Sequence, residues 1–102
     1  MLLAIDIGNS NITMGVYREN DLLFVAIGGI QDDKIVFEAR IATDRIKTSD
    51  QYGVEIKNIL SLFEVPVETV EDVIISSVVP PVFNAVRTGA YKVTGLTPMV
   101  VG

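Results

Sequence analysis

Asp6 closes a short apolar run, and Gly8, Asn9, Ser10, Asn11 and Thr13 follow it almost at once. Two chemistries suit that group. In one, the residues only make a hairpin turn: Asp and Asn accept local backbone hydrogen bonds, and Gly supplies φ > 0. In the other, a tight turn of small residues leaves backbone N–H groups pointing outward, a nest that can hold phosphate oxygens. Asn9, Ser10 and Thr13 would add donors. Asp6 would repel a phosphate but suits Mg²⁺, directly or through water. It also sits where ligands bind in sheets with parallel strands, at a strand's carboxyl end. These residues taken alone are compatible with both readings.

The elements that would position this group can be read from periodicity. Residues 2–5 form a continuous apolar run, as in a strand buried on both faces. Residues 11–17 alternate, with Ile12, Met14 and Val16 on one side, so the pair reads as a hairpin. A turn around Asn20 and Asp21, a strand over 22–27, a turn at GGIQDD and a long strand over 34–43 complete an antiparallel meander. The period then changes. Tyr52, Ile56, Ile59, Leu60 and Phe63 share one helical face, and Thr48 with Gln51 fits a capping box. Gly53 inside that helix costs on the order of 1 kcal/mol relative to Ala, and close helix–sheet approach is one reason to keep it. Residues 73–79, VIISSVV, read as a central parallel strand. Pro80 and Pro81 end it, a helix runs from near Val82 to about Tyr91, and a last strand starts at Met99. The order β-β-(β)-β-α-β-α-β predicts an α/β fold. Its mixed five-stranded sheet has an antiparallel meander followed by parallel strands, with helices on its faces.

Composition narrows the chemistry. The 102 residues suffice for one domain, burying roughly 65% of the unfolded surface. The 49% apolar content is high for so small a chain, which fits a mainly buried α/β sheet or, the preferred reading, a partner that normally covers part of it. Net charge is −5 with eight scattered Lys and Arg, which argues against nucleic acid or an anionic membrane surface as a partner. There is no cysteine and no histidine, so thiol chemistry, His/Cys zinc sites and Ser-His-Asp triads are excluded within this chain. The longest uncharged stretch, 73–86, carries two prolines and is shorter than the ~20 residues a membrane helix needs. No export signal is visible, and a cytoplasmic location is expected.

Other polar residues have plainer readings. One of Ser76 and Ser77 is expected to bond backbone and the other to face the cleft opposite Asp6. Neither has a base beside it. Arg40, Asp44, Arg45 and Lys47 read as a solvated charged loop, with a dimer or cleft edge as the alternative. Tyr17, Tyr52 and Tyr91 read as packing aromatics.

Three segments together carry a resemblance: DIGNSN at 6–11, RIATDRIKTSDQY at 40–52 and VIISSVVPPV at 73–82. They resemble the type III pantothenate kinase (Bvg accessory factor) family, within the acetate kinase, sugar kinase and actin superfamily. The likeness spans nearly the whole chain and departs at 18–38, where the hairpin is longer than the family pattern. The resemblance implies a ribonuclease-H-like (actin-like ATPase) domain, one of two around a nucleotide cleft. Residues 1–102 would be the N-terminal nucleotide-phosphate-binding domain, and a second domain would lie beyond Gly102. It further implies an enzyme that moves the γ-phosphoryl of ATP to the primary hydroxyl of pantothenate, the first step of coenzyme A synthesis. Asp6 matches the family's cation-associated aspartate, hence Mg²⁺. Ile7, Gly8, Asn9, Ser10, Asn11, Ile12 and Thr13 match its nucleotide loop, with Gly8, Asn9 and Ser10 nearest the phosphates. The family's base, an aspartate in a Gly-Ala-Asp-Arg motif, has no counterpart here. The same holds for its pantothenate pocket and its ligand for a monovalent cation (K⁺ or NH₄⁺). The chain alone is therefore expected to be inactive, and the parent protein to be a homodimer.

Three rivals remain beside that reading. One is another kinase of the same superfamily, acting on a sugar or carboxylate. A second is a non-catalytic regulatory relic of the fold. The third, a ribonuclease-H-like nuclease, needs clustered carboxylates for two metals, and only Asp6 is suitably placed at a strand end.

Overall fold

A computed structural model of the chain describes residues 1–18, 35–77 and 79–101. The strands are β1 Leu2–Ile7, β2 Asn11–Tyr17, β3 Ile35–Ala42, β4 Asp72–Ser77 and β5 Met99–Val101. The helices are α1 Ser49–Leu62 and α2 Pro80–Thr94, with a 3-10 turn at Val67–Thr69 leading into β4. The sheet runs β3-β2-β1-β4-β5. β1, β2 and β3 pair antiparallel, while β4 and β5 extend the sheet parallel to β1. This is the mixed five-stranded sheet expected from the order of elements, in the arrangement of an actin-like ATPase domain. The strand expected over 22–27 and the turns beside it lie outside the described residues.

Alternation along the strands decides what each face does. Leu3, Ile5 and Ile7 of β1, Ile12, Met14 and Val16 of β2, and Val73 and Ile75 of β4 share one face and one core. Both helices pack there, through Tyr52, Ile56 and Leu60 of α1 and Val82, Val86 and Ala90 of α2. Phe37 of β3 stacks on Phe63 with ring centroids 4.3 Å apart. The opposite face carries a small separate cluster of Leu2, Tyr17 and Ile74, and no described helix joins it.

Three boundaries differ from the sequence expectation. β1 continues two residues past Ile5, because Asp6 and Ile7 still pair with Thr13 and Ile12 on one side and Ser76 and Ser77 on the other. Asp6 therefore projects from within the sheet. β4 stops at Ser77, whose hydroxyl accepts the Val79 N–H at 3.1 Å. α2 starts at Pro80, two residues earlier than expected. Both prolines sit in the first turn, where a missing N–H leaves no intrahelical bond unmade. The helix then reaches Thr94 and is capped by Gly95 at φ 72, whose N–H bonds Tyr91 O at 2.7 Å.

Gly53 serves a helix–helix approach, where helix–sheet packing was one expectation. A Cβ at Gly53 would meet the Gly89 carbonyl of α2 at 3.3 Å. A Cβ at Gly89 would meet Ser49 O at 2.7 Å and Gly53 N at 2.8 Å. The two glycines let the backbones touch. The start of α1 has the predicted capping box, with Thr48 and Gln51 bonding each other's backbone N–H.

Candidate functional site

The β1–β2 turn is closed by Gly8 N–H donating to Asn11 O at 2.9 Å. Its glycine is not there for a left-handed φ: among the described residues the one glycine with positive φ is Gly95. The reason is space, because a Cβ at Gly8 would lie 3.1 Å from Asn11 O. Asn9, Ser10 and Asn11 are exposed, and Gly8 and Thr13 are half-buried. Ile7 and Ile12 are 0% and 1% exposed, so they anchor the turn in the core and offer only backbone to a ligand. Among the described residues the N–H groups of Asn9 and Ser10 donate to no protein acceptor, as an anion nest requires.

Asp6 stands beside this turn on the open face of the sheet. Its exposed carboxylate accepts a hydrogen bond from Ser76 Oγ at 2.9 Å through Oδ1. The two are 70 residues apart in sequence and directly opposite in the parallel β1–β4 pairing. The expected split between the serines is observed, since Ser77 bonds backbone and Ser76 faces Asp6. Across β2 the same row continues through Thr13 to Arg40. Arg40 thus lies in strand β3, inside the strand expected over 34–43, and on the face of Asp6, while Asp44, Arg45 and Lys47 follow in the loop. Residue parity along β3 could have shown this, had the register been known. A shallow cavity of about 250 Å³ adjoins Asp6 on this face, lined by Thr13, Gly15, Tyr17, Glu38 and Ser76 among others. Tyr17's phenol is raised above its ordinary pKa of 10.0, first by burial and then by the Glu38 charge.

One contributor was given no role in the sequence reading, although it lies within the segment 40–52. Thr43, just past β3, donates its N–H to Ser10 O at 3.0 Å and its hydroxyl to Gly8 O at 2.8 Å. It holds two of the turn's carbonyls. Of the remaining charged residues, Lys47 pairs with Glu55 on α1, a bond that raises the lysine's pKa. Asp44 Oδ1 accepts the Ile46 N–H at 2.9 Å within the loop.

The donor set fits one hard cation held partly by other oxygens. Among the described residues no group of three or more His, Cys, Asp or Glu could enclose a metal. Mg²⁺ needs no such cage, since it keeps waters and binds through one or two carboxylates plus substrate phosphates. The same observation disfavours a two-metal nuclease site. No described helix is long and apolar enough to cross a membrane.

The profile of the family described as type III pantothenate kinase matches residues 2–102. Among curated relatives, the type III pantothenate kinase of Bifidobacterium longum subsp. infantis is 42% identical over all 102 residues. That of an Exiguobacterium species is 39% identical, and that of Listeria innocua 35%, again over the whole chain. The chain spans 35%, 35% and 34% of the lengths of these three relatives.

Proposed function

The chain belongs to the type III pantothenate kinase family, and from that premise we propose that it is the nucleotide-phosphate half of an ATP-dependent kinase acting on pantothenate. In the whole protein the γ-phosphoryl of ATP passes to the primary hydroxyl of pantothenate, opening coenzyme A synthesis. The observation that carries this reading is the pairing of an exposed carboxylate, Asp6, with a turn whose Asn9 and Ser10 amides are unspent.

The roles follow from charge. Phosphoryl transfer depends on positioning and charge stabilisation more than on covalent chemistry. The Asn9 and Ser10 amides, with the side chains of Asn9, Ser10, Asn11 and Thr13, supply donors for phosphate oxygens. Gly8 keeps the turn tight, and Ile7 and Ile12 hold it to the core. Asp6 would hold Mg²⁺, directly or through water, and the bound ion would neutralise phosphate charge. Ser76 fixes one Asp6 oxygen and leaves the other for the cation. The base that takes the pantothenate hydroxyl proton, the pantothenate pocket and the K⁺ or NH₄⁺ site belong to a second domain beyond Gly102. The parent protein would be a homodimer in the cytoplasm.

The test is turnover by the full-length protein. With Mg-ATP it should phosphorylate pantothenate and ignore a panel of sugars and short carboxylates. Preference for any panel member over pantothenate would replace the substrate assigned here. Lack of Mg-ATP binding would favour a regulatory relic.

A further inference from the structure

We propose that Thr43 and the Tyr52 hydroxyl are positioning residues that aim the amides of the β1–β2 turn at the nucleotide's phosphates, an inference that rests on the kinase reading above. In a trans peptide the C=O and the following N–H point in opposite directions, and the described residues contain no cis peptide. Thr43 takes up the Gly8 and Ser10 carbonyls together. Holding those two oxygens toward Thr43 turns the N–H groups that follow them away from it, and that of Asn9 is one of the two unspent amides of the turn. Without Thr43 the Gly8 carbonyl would be free to rotate outward, where its oxygen would repel a phosphate.

Thr43 is itself held from the helix layer. Tyr52 is 1% exposed, its ring packed in the core. Its hydroxyl donates to Asp44 O at 2.6 Å and accepts the Asp44 N–H at 2.9 Å. A buried phenol thus clamps both backbone groups of the residue next to Thr43. The Thr48 capping box and the Lys47–Glu55 pair fix the rest of this short strap to α1. The strap carries the position of α1 to the turn, and its residues touch no substrate themselves.

The experiment uses the full-length protein with Thr43→Val, Thr43→Ser and Tyr52→Phe, measuring KM for ATP and for pantothenate separately. Losing one such hydrogen bond should raise the ATP KM about 3- to 10-fold in Thr43→Val, leave the pantothenate KM unchanged, and be rescued in Thr43→Ser. Tyr52→Phe should move the ATP KM the same way by less, and it keeps the core ring if the valine variant does not fold. An unchanged ATP KM in Thr43→Val and Tyr52→Phe overturns the inference and leaves the kinase reading standing. Equal rises in both KM values would mean a merely structural strap, and also overturn it. A wild-type protein that moves no phosphoryl group from ATP overturns the kinase reading, and this inference falls with it.

Discussion

The two faces of the sheet are built from the same strands and do opposite work. On one, Leu3, Ile5, Ile7, Ile12, Met14 and Val16 disappear under two helices. On the other, the intervening residues include Asp6, Thr13, Glu38, Arg40 and Ser76. Neighbours in sequence such as Ile5 and Asp6 therefore belong to different problems. The difference teaches that a period of two lets one strand carry the core on one side and a candidate site on the other. Stability and function should then separate cleanly in variants of adjacent positions.

Ile5→Ala should show the core face at its strongest. Ile5 is 1% exposed, and emptying such a site costs about 2–5 kcal/mol. In the full-length protein denaturant unfolding should register that loss, while kcat per folded molecule stays at the wild-type value. A fall in kcat per folded molecule would blur the division between the faces. Gly89→Ala should cost somewhat less, about 1–3 kcal/mol, because its Cβ would press on the backbone of Ser49 and Gly53. Thermal melting would show it, and an unchanged melting temperature would mean that the helix seam yields freely.

On the open face, Ser76→Ala in the full-length protein should cost little stability and should raise the Mg²⁺ concentration for half-maximal turnover about 3- to 10-fold. An unaltered Mg²⁺ requirement would leave Ser76 as a cleft-lining residue only. The smallest effect is one of pH. Tyr17 is raised above its ordinary 10.0 by burial and Glu38, and Lys47 above 10.5, chiefly by its hydrogen bond to Glu55. Both groups hold protons more tightly folded than unfolded. Their stabilisation is complete below those ordinary values and is lost as pH rises through the folded ones. Melting temperature should therefore fall above about pH 10, with a shallower slope in Tyr17→Phe.

Much of this division was legible beforehand, for physical reasons that differ by residue. Local rules exposed the alternation of Ile12, Met14 and Val16, the Thr48–Gln51 cap and the uncharged run before Pro80. Those features depend on neighbours a few positions away. The Ser76 contact with Asp6 was anticipated only as a general facing, since a parallel pairing brings together residues 70 apart. Arg40 was read inside the strand over 34–43, but its face went unread because that depends on the register of β3 against β2. Gly53 pointed to a close approach, with a sheet as one option where α2 is found, because a glycine advertises close approach without naming what approaches. Thr43 was given no role although it lies within the segment 40–52: its two bonds to the turn exist only once β3 has returned alongside β2.

The central claim is that Asp6 serves phosphoryl transfer and not the fold, and one substitution tests it. In the full-length protein, Asp6→Asn keeps the size of the side chain and an oxygen able to accept the Ser76 hydroxyl, and removes only the charge. Pantothenate phosphorylation should drop on the order of 10²- to 10³-fold, with a melting temperature close to wild type. A wild-type rate in that variant would contradict the role given to Asp6, and with it the division of labour between the two faces.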